Sequence, residues 1–221
     1  MSTITSTSVL LLAAVLVSGC QTAAVSDPAQ IETVSIKEAR GMSIGERVRV
    51  SGTVMVQSGA FASSISSGFA IQDDSAGIYV VDADHAFNLG DRVEITGKRG
   101  AEFGQSNIVL ESAEKLTSSG TVIPESVRTG NVGEAQEGTL IRVEGYVKQT
   151  RGDPPYGYKA FIDDSSGECQ IFVNISTGLV DNARDWKVGD FISVIGVVGQ
   201  YENTYEVMPR ILSDITIQAT K

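Results

Sequence analysis

Five residues in the second half of the chain carry the types needed for a ligand-binding edge: Lys148, Arg151, Tyr156, Tyr158 and Tyr201. Four of them lie in one stretch, Lys148-Gln-Thr-Arg-Gly-Asp-Pro-Pro-Tyr-Gly-Tyr158. Tyrosine rings present flat faces to a base or a sugar ring, and the two cations offset the charge of an anion. The same residues have a plainer use, since tyrosines also cap the edges of apolar cores and charged side chains keep loops solvated. The first half is poorer in this chemistry. Gln57-Ser-Gly-Ala-Phe-Ala-Ser-Ser-Ile-Ser-Ser67 contains Phe61 and no positive charge, while Lys98, Arg99 and Phe103 offer one small local edge.

Other reactive types do not assemble into a catalytic set. Asp73-Asp-Ser-Ala-Gly77 and Asp163-Asp-Ser-Ser-Gly167 offer hard oxygen ligands for Ca²⁺ or Mg²⁺. Adjacent acidic side chains on a strand point to opposite faces, however, so these segments read as turns between strands. His85 is the sole histidine, beside Asp84, and no nucleophile is placed with the pair. Cys169 alternates with Ile171 in the strand-like Cys169-Gln-Ile-Phe172 and reads as core packing. The expectation is a protein with no catalytic residue, no metal and no cofactor.

Charge narrows the partners. Lys and Arg number 17 against 27 Asp and Glu, giving a formal net charge of −10. Such a surface repels a phosphate polyanion unless a local positive patch overcomes the field. A protein partner, one of the cell envelope if the chain is exported, is therefore favoured, with single-stranded nucleic acid or an oligosaccharide as the second reading, centred on the five residues above.

The elements that must position these side chains come from a repeat. Val48-Arg-Val-Ser-Gly52 matches Leu140-Ile-Arg-Val-Glu-Gly145. Phe69-Ala-Ile-Gln-Asp-Asp-Ser-Ala-Gly77 matches Phe161-Ile-Asp-Asp-Ser-Ser-Gly167, and Leu89-Gly-Asp-Arg-Val-Glu-Ile-Thr-Gly97 matches Val188-Gly-Asp-Phe-Ile-Ser-Val-Ile-Gly196. The matching glycines lie 93, 90 and 99 residues apart, a duplicated unit with loops of changed length. Val48 and Val50 alternate with Arg49 and Ser51, and Val93 and Ile95 with Glu94 and Thr96. This period of two puts one face of a strand in a core and the other in solvent. Short strands with glycine-rich turns predict an all-β fold.

These motifs resemble the OB-fold modules attached to secreted bacterial nucleases and other envelope proteins. The resemblance spans residues 34 to 115 and 123 to 217, and no nuclease domain accompanies it. It implies two tandem small Greek-key β-barrels, a first OB-like domain over residues 31–117 and a second over 118–217, with 218–221 as a tail. It also implies binding loops at residues 55–67 and 100–106 in the first unit, and at 148–158 and 199–204 in the second. Thr117-Ser-Ser-Gly-Thr121 reads as the connection, and Asp82 to Leu89 and Ser176 to Val188 as short helical links.

Upstream, Val9 to Val17 form an apolar run too short to span a bilayer as a helix, ending in Val17-Ser-Gly-Cys20. This resembles the lipobox of bacterial lipoproteins, which implies a signal peptide over residues 1–19 and a diacylglycerol on Cys20. Residues 20–30 then form a lipidated tether. Two acyl chains give stable membrane association. Gln21 after the cysteine favours, in a Gram-negative cell, the outer membrane facing the periplasm. The sequence thus reads as an exported, lipid-anchored, noncatalytic adaptor of the cell envelope.

Overall fold

The computed structural model describes residues 31–62 and 64–218. The signal-peptide, Cys20 and tether readings fall outside them.

A parallel strand β1 (Thr33–Val34) opens the first half and leads into helix α1 (Ile36–Gly41). Ser35 and Glu38 form a capping box, each side chain accepting a hydrogen bond from the other residue's backbone N–H, which starts the helix. Ile36 and Ala39, three residues apart on one face, are buried. Strands β2 (Arg47–Val56), β3 (Gly68–Gln72), β4 (Gly77–Val81), β5 (Asp91–Glu102) and β6 (Gln105–Ser119) follow. They form a six-stranded sheet in the order β1-β2-β3-β4-β6-β5, and β2 also pairs with β5.

The second half repeats that order. Strands β7 (Glu125–Ser126), β8 (Leu140–Asp153), β9 (Gly157–Asp163), β10 (Glu168–Asn174), β11 (Phe191–Tyr201) and β12 (Thr204–Met208) are joined by β13 (Ile215–Gln218) in a seven-stranded sheet, β13-β11-β12-β10-β9-β8-β7, where β8 also pairs with β11. A one-turn helix α2 (Val180–Arg184) follows β10 and buries Val180 and Ala183 beside Trp186.

This architecture corrects the expected tandem Greek-key β-barrels. The chain is mostly β-strand, but it forms two mixed sheets, not barrels of antiparallel Greek keys. In each half a strand returns alongside an earlier one in the same direction, so that β4 pairs parallel with β6 and β10 with β12. The short first strands β1 and β7 are also parallel to their neighbours. Residues 82–89 form no helix, and β6 continues through Thr117 to Ser119, where composition alone marks a connection.

The alternation seen in the sequence fills the cores. Val48, Val50, Ile71 and Ile95 pack in the first half, and Val143, Ile162, Ile171 and Val194 in the second. A third apolar cluster spans both halves, joining Met55, Phe61 and Tyr79 to Leu140, Phe172 and Met208. Polar contacts close around it. Arg210 pairs with Asp214 at 2.8 Å and donates from Nη1 to the Met55 carbonyl at 2.8 Å. The Leu140 N–H donates to Gln72 Oε1 at 2.9 Å.

Candidate functional site

Strand pairing puts a polar and aromatic face on the second sheet, opposite its core side. Arg151 of β8 pairs with Lys159 of β9, and Lys159 with Phe172 of β10. The next row runs from Phe161 through Gln170 to Glu206 of β12. Cys169, Ile171 and Val173, of the other parity on β10, enter the core.

A β-bulge between Val147 and Gln149 sets this face. Val147 points into the core opposite Ile162, whereas beyond the bulge it is Thr150 that pairs with the buried Ala160. The extra residue reverses the parity of the strand end and sends Arg151 and Asp153 outward. The equivalent bulge lies between Val54 and Val56 in β2, where Met55 is the inserted residue and is buried.

Charges on this face are largely balanced. Lys159 Nζ is 2.7 Å from Asp153 Oδ2 and 5.5 Å from the centre of the Phe172 ring. The Arg151 guanidinium lies 5.4 Å from the Phe161 ring centre. Gln170 Nε2 donates to Glu206 Oε2 at 2.6 Å. Glu206 is only 7% exposed, and burial pushes its carboxyl up to about 7, against the opposing pull of the Gln170 hydrogen bond and Lys159.

Two hairpin tips complete the site. Phe103 and Gly104 turn from β5 to β6 with φ of 51° and 95°, and Glu202 turns from β11 to β12 with φ of 53°. Gly104 and Tyr201 form an isolated antiparallel bridge, and the Glu202 N–H donates to the Phe103 carbonyl. The Phe103 and Tyr201 rings then lie 5.0 Å apart at 33°. Ser64, which accepts from Asn174 Nδ2 at 2.8 Å, closes another side. The result is a groove of about 350 Å³ with buried Phe172 and Glu206 at its base and Phe103, Tyr156 and Tyr201, each close to half exposed, at its rim.

Three of the five residues selected from sequence, Arg151, Tyr156 and Tyr201, line this groove. Tyr158 does not, because its parity turns it against the second core. Lys148 is the bulge residue; it is exposed and stands outside the groove lining. Phe103 joins from the first half, whereas Arg99 is buried, donating to the Arg40 carbonyl and to Ser106 Oγ. Asp153, Lys159, Gln170 and Glu206 were not singled out by sequence reasoning. Their signal is the shared outward parity of β8, β9, β10 and β12, legible only once the bulge is placed.

The acidic pairs are turn caps. Asp73 accepts hydrogen bonds from the backbone N–H groups of Ile36, Ser75 and Ala76, and these outweigh burial to hold its carboxyl below its ordinary value. Asp164 accepts from Thr129 Oγ1 and from the Ser166 N–H. Among the described residues no group of three His, Cys, Asp or Glu side chains is placed to hold a metal. His85 is exposed, 3.1 Å from Asp82 and stacked on Phe87, so its carboxylate neighbour is Asp82 and not Asp84. Cys169 is 4% exposed in the second core, and burial pushes its thiol up to about 12, far from a reactive thiolate. No helix among the described residues is long and apolar enough to cross a membrane.

No protein-family model matches the chain, and no curated protein matches it. Among solved structures it is similar to the S. pombe Stn1-ten1 complex, at 15% identity and a TM-score of 0.33, over 37% of this chain and 59% of that one. It is also similar to two OBodies bound to hen egg-white lysozyme. OBody AM1L10 matches at 19% identity with a TM-score of 0.37, and AM3L09 at 16% with 0.38, each over 45% of this chain and 100% of that one.

Proposed function

We propose that this protein is a noncatalytic binding protein that captures its ligand in the groove bordered by the two joined hairpin tips and Tyr156, and that Cys20 holds it at the membrane of a bacterial cell envelope. The observation that carries the binding reading is the meeting of Arg151, Tyr156 and Tyr201 with Phe103 around one concave site. Three aromatic side chains that expose close to half their surface are costly to leave in water and are suited to cover a flat ligand. The groove lining includes the hydroxyls of Ser64 and Thr204 but no histidine or cysteine beside them, and no metal cluster is formed among the described residues. The Cys20 anchor rests on the apolar run and the Val17-Ser-Gly-Cys20 break.

Chemical-shift mapping of the full mature chain tests the binding reading, with nucleosides, neutral hexose tetramers and tyrosine-containing tripeptides as probes. Shifts are expected at Phe103, Tyr156 and Tyr201. A probe that binds while leaving all three unperturbed overturns the assignment. Mass spectrometry of the membrane fraction tests the anchor by seeking an acylated fragment beginning at Cys20, and a mature protein retaining Met1 removes it.

A further inference from the structure

Resting on the reading of the groove as a binding site, we propose that its ligand is a neutral polyhydroxylated ring, a segment of an uncharged oligosaccharide lying between the Tyr156 and Tyr201 rims over the Gln170–Glu206 pair.

The charge arrangement excludes a polyanion first. Lys159 is bound to Asp153 at 2.7 Å, and the buried Glu206 lies under the same site. That leaves Arg151 as the groove's one cation with no carboxylate partner among the described residues. One such cation neutralises about one phosphate, whereas a strand of several nucleotides brings several into a protein of net charge −10. A cationic ligand meets Arg151, while the Asp153 carboxylate that could attract it is already paired with Lys159.

The surfaces that remain fit a sugar. A pyranose has an apolar C–H face and a rim of hydroxyls, each able to donate and to accept. The groove offers both complements: aromatic faces on Phe103, Tyr156 and Tyr201, and the polar ends of Gln170, Glu206 and Thr204 below them. Glu206 Oε2 already accepts from Gln170 Nε2 at 2.6 Å, and burial raises its carboxyl above the ordinary value, which makes its protonated, hydrogen-bond-donating form easier to reach than for an exposed glutamate. The size agrees as well, since about 350 Å³ lies at the small end of the roughly 300–1,000 Å³ of ligand sites and suits one or two rings.

Titration calorimetry on the mature chain with neutral hexose and N-acetylhexosamine tetramers, and separately with a twelve-residue oligothymidylate, tests this. At least one neutral tetramer is expected to bind with an affinity that changes less than twofold between about 50 and 500 mM salt. Tyr156→Ala and Tyr201→Ala should each weaken it by roughly five- to tenfold, the size of one lost stacking face. Because Tyr201→Ala also removes a contact with Phe103, Tyr201→Phe keeps the ring and should retain affinity. Lys148→Ala, outside the groove, should change nothing. If no neutral tetramer binds, or if the oligothymidylate binds more tightly with a steep salt dependence, the saccharide assignment is overturned. Loss of oligothymidylate binding in the tyrosine variants would preserve the groove as a site while rejecting the sugar. A tetramer that binds the alanine variants as well as the unaltered protein would reject both.

Discussion

The rings of Phe103 and Tyr201 meet with centroids 5.0 Å apart, joining the tips of two hairpins that belong to different sheets. Aromatic pairs of this geometry contribute about 0.5–1.5 kcal/mol beyond the area they bury. A double-mutant cycle of Phe103→Ala and Tyr201→Ala, read by chemical denaturation, should return a coupling of that size. Strictly additive losses would mean that the two tips touch without stabilising one another.

The buried Glu206 carboxyl predicts an unusual slope of stability with pH. Its ordinary value of 4.5 is raised to about 7 in the folded chain. The folded state therefore binds its proton more tightly, so this contribution is complete below 4.5 and is lost as the pH rises through 7. Glu206→Gln should flatten the curve in that window and leave the variant more stable than the unaltered protein above it, by at most about 3 kcal/mol. Asp73, Asp82 and Asp91 are held below 3.8 and act with the opposite sign in more acid solution. Urea titrations between pH 4 and 8 separate the two, and parallel curves for variant and unaltered protein would refute the Glu206 account.

Glu137 provides the buried counter-charge where the halves meet. It is 3% exposed, lies 3.2 Å from Arg40 Nη2 and accepts from the Ser106 N–H at 2.8 Å. Burial and the neighbouring Arg40 charge lower the Arg99 value, and Glu137 opposes them. Glu137→Ala leaves guanidinium charge and a strand N–H without this partner and should cost about 3–5 kcal/mol. Glu137→Gln, which retains an acceptor for Ser106, should cost less. Equal melting temperatures for Glu137→Ala and the unaltered protein would contradict this role.

Gly77 is held by close approach of backbone. A Cβ at that position would lie 1.9 Å from the Gly138 carbonyl oxygen, whereas one at Gly41 meets nothing within 4 Å. Gly77→Ala should therefore lose at least about 1–3 kcal/mol, and Gly41→Ala, at the end of α1, should be neutral or stabilising by under about 1 kcal/mol. Thermal melts of the two variants should move in different directions or at least by clearly different amounts. A neutral Gly77→Ala would show that the two halves can part there without loss.

Local chemistry made part of this legible in advance. The alternation of Val48 with Arg49 and of Val93 with Glu94 writes strands into the sequence, because a strand turns successive side chains to opposite faces. The repeated Asp-Asp-Ser-x-Gly segments announce turns, since a short carboxylate reaches backbone N–H groups only a few residues away. The ring-rich stretch from Lys148 to Tyr158 was visible as a chemical resource on the same terms. Its division was not. One inserted residue in β8 sends Arg151 outward and leaves Lys148 at the bulge, while parity on β9 turns Tyr158 to the core, and period-two reasoning cannot locate such an insertion. The mixed order of the sheets, the contact of Phe103 with Tyr201 and the burial of Glu206 likewise belong to the tertiary structure. Each depends on residues distant in the chain being brought together by the packing of whole strands, whereas propensity, capping and alternation act within a few residues and are all that the sequence by itself determines.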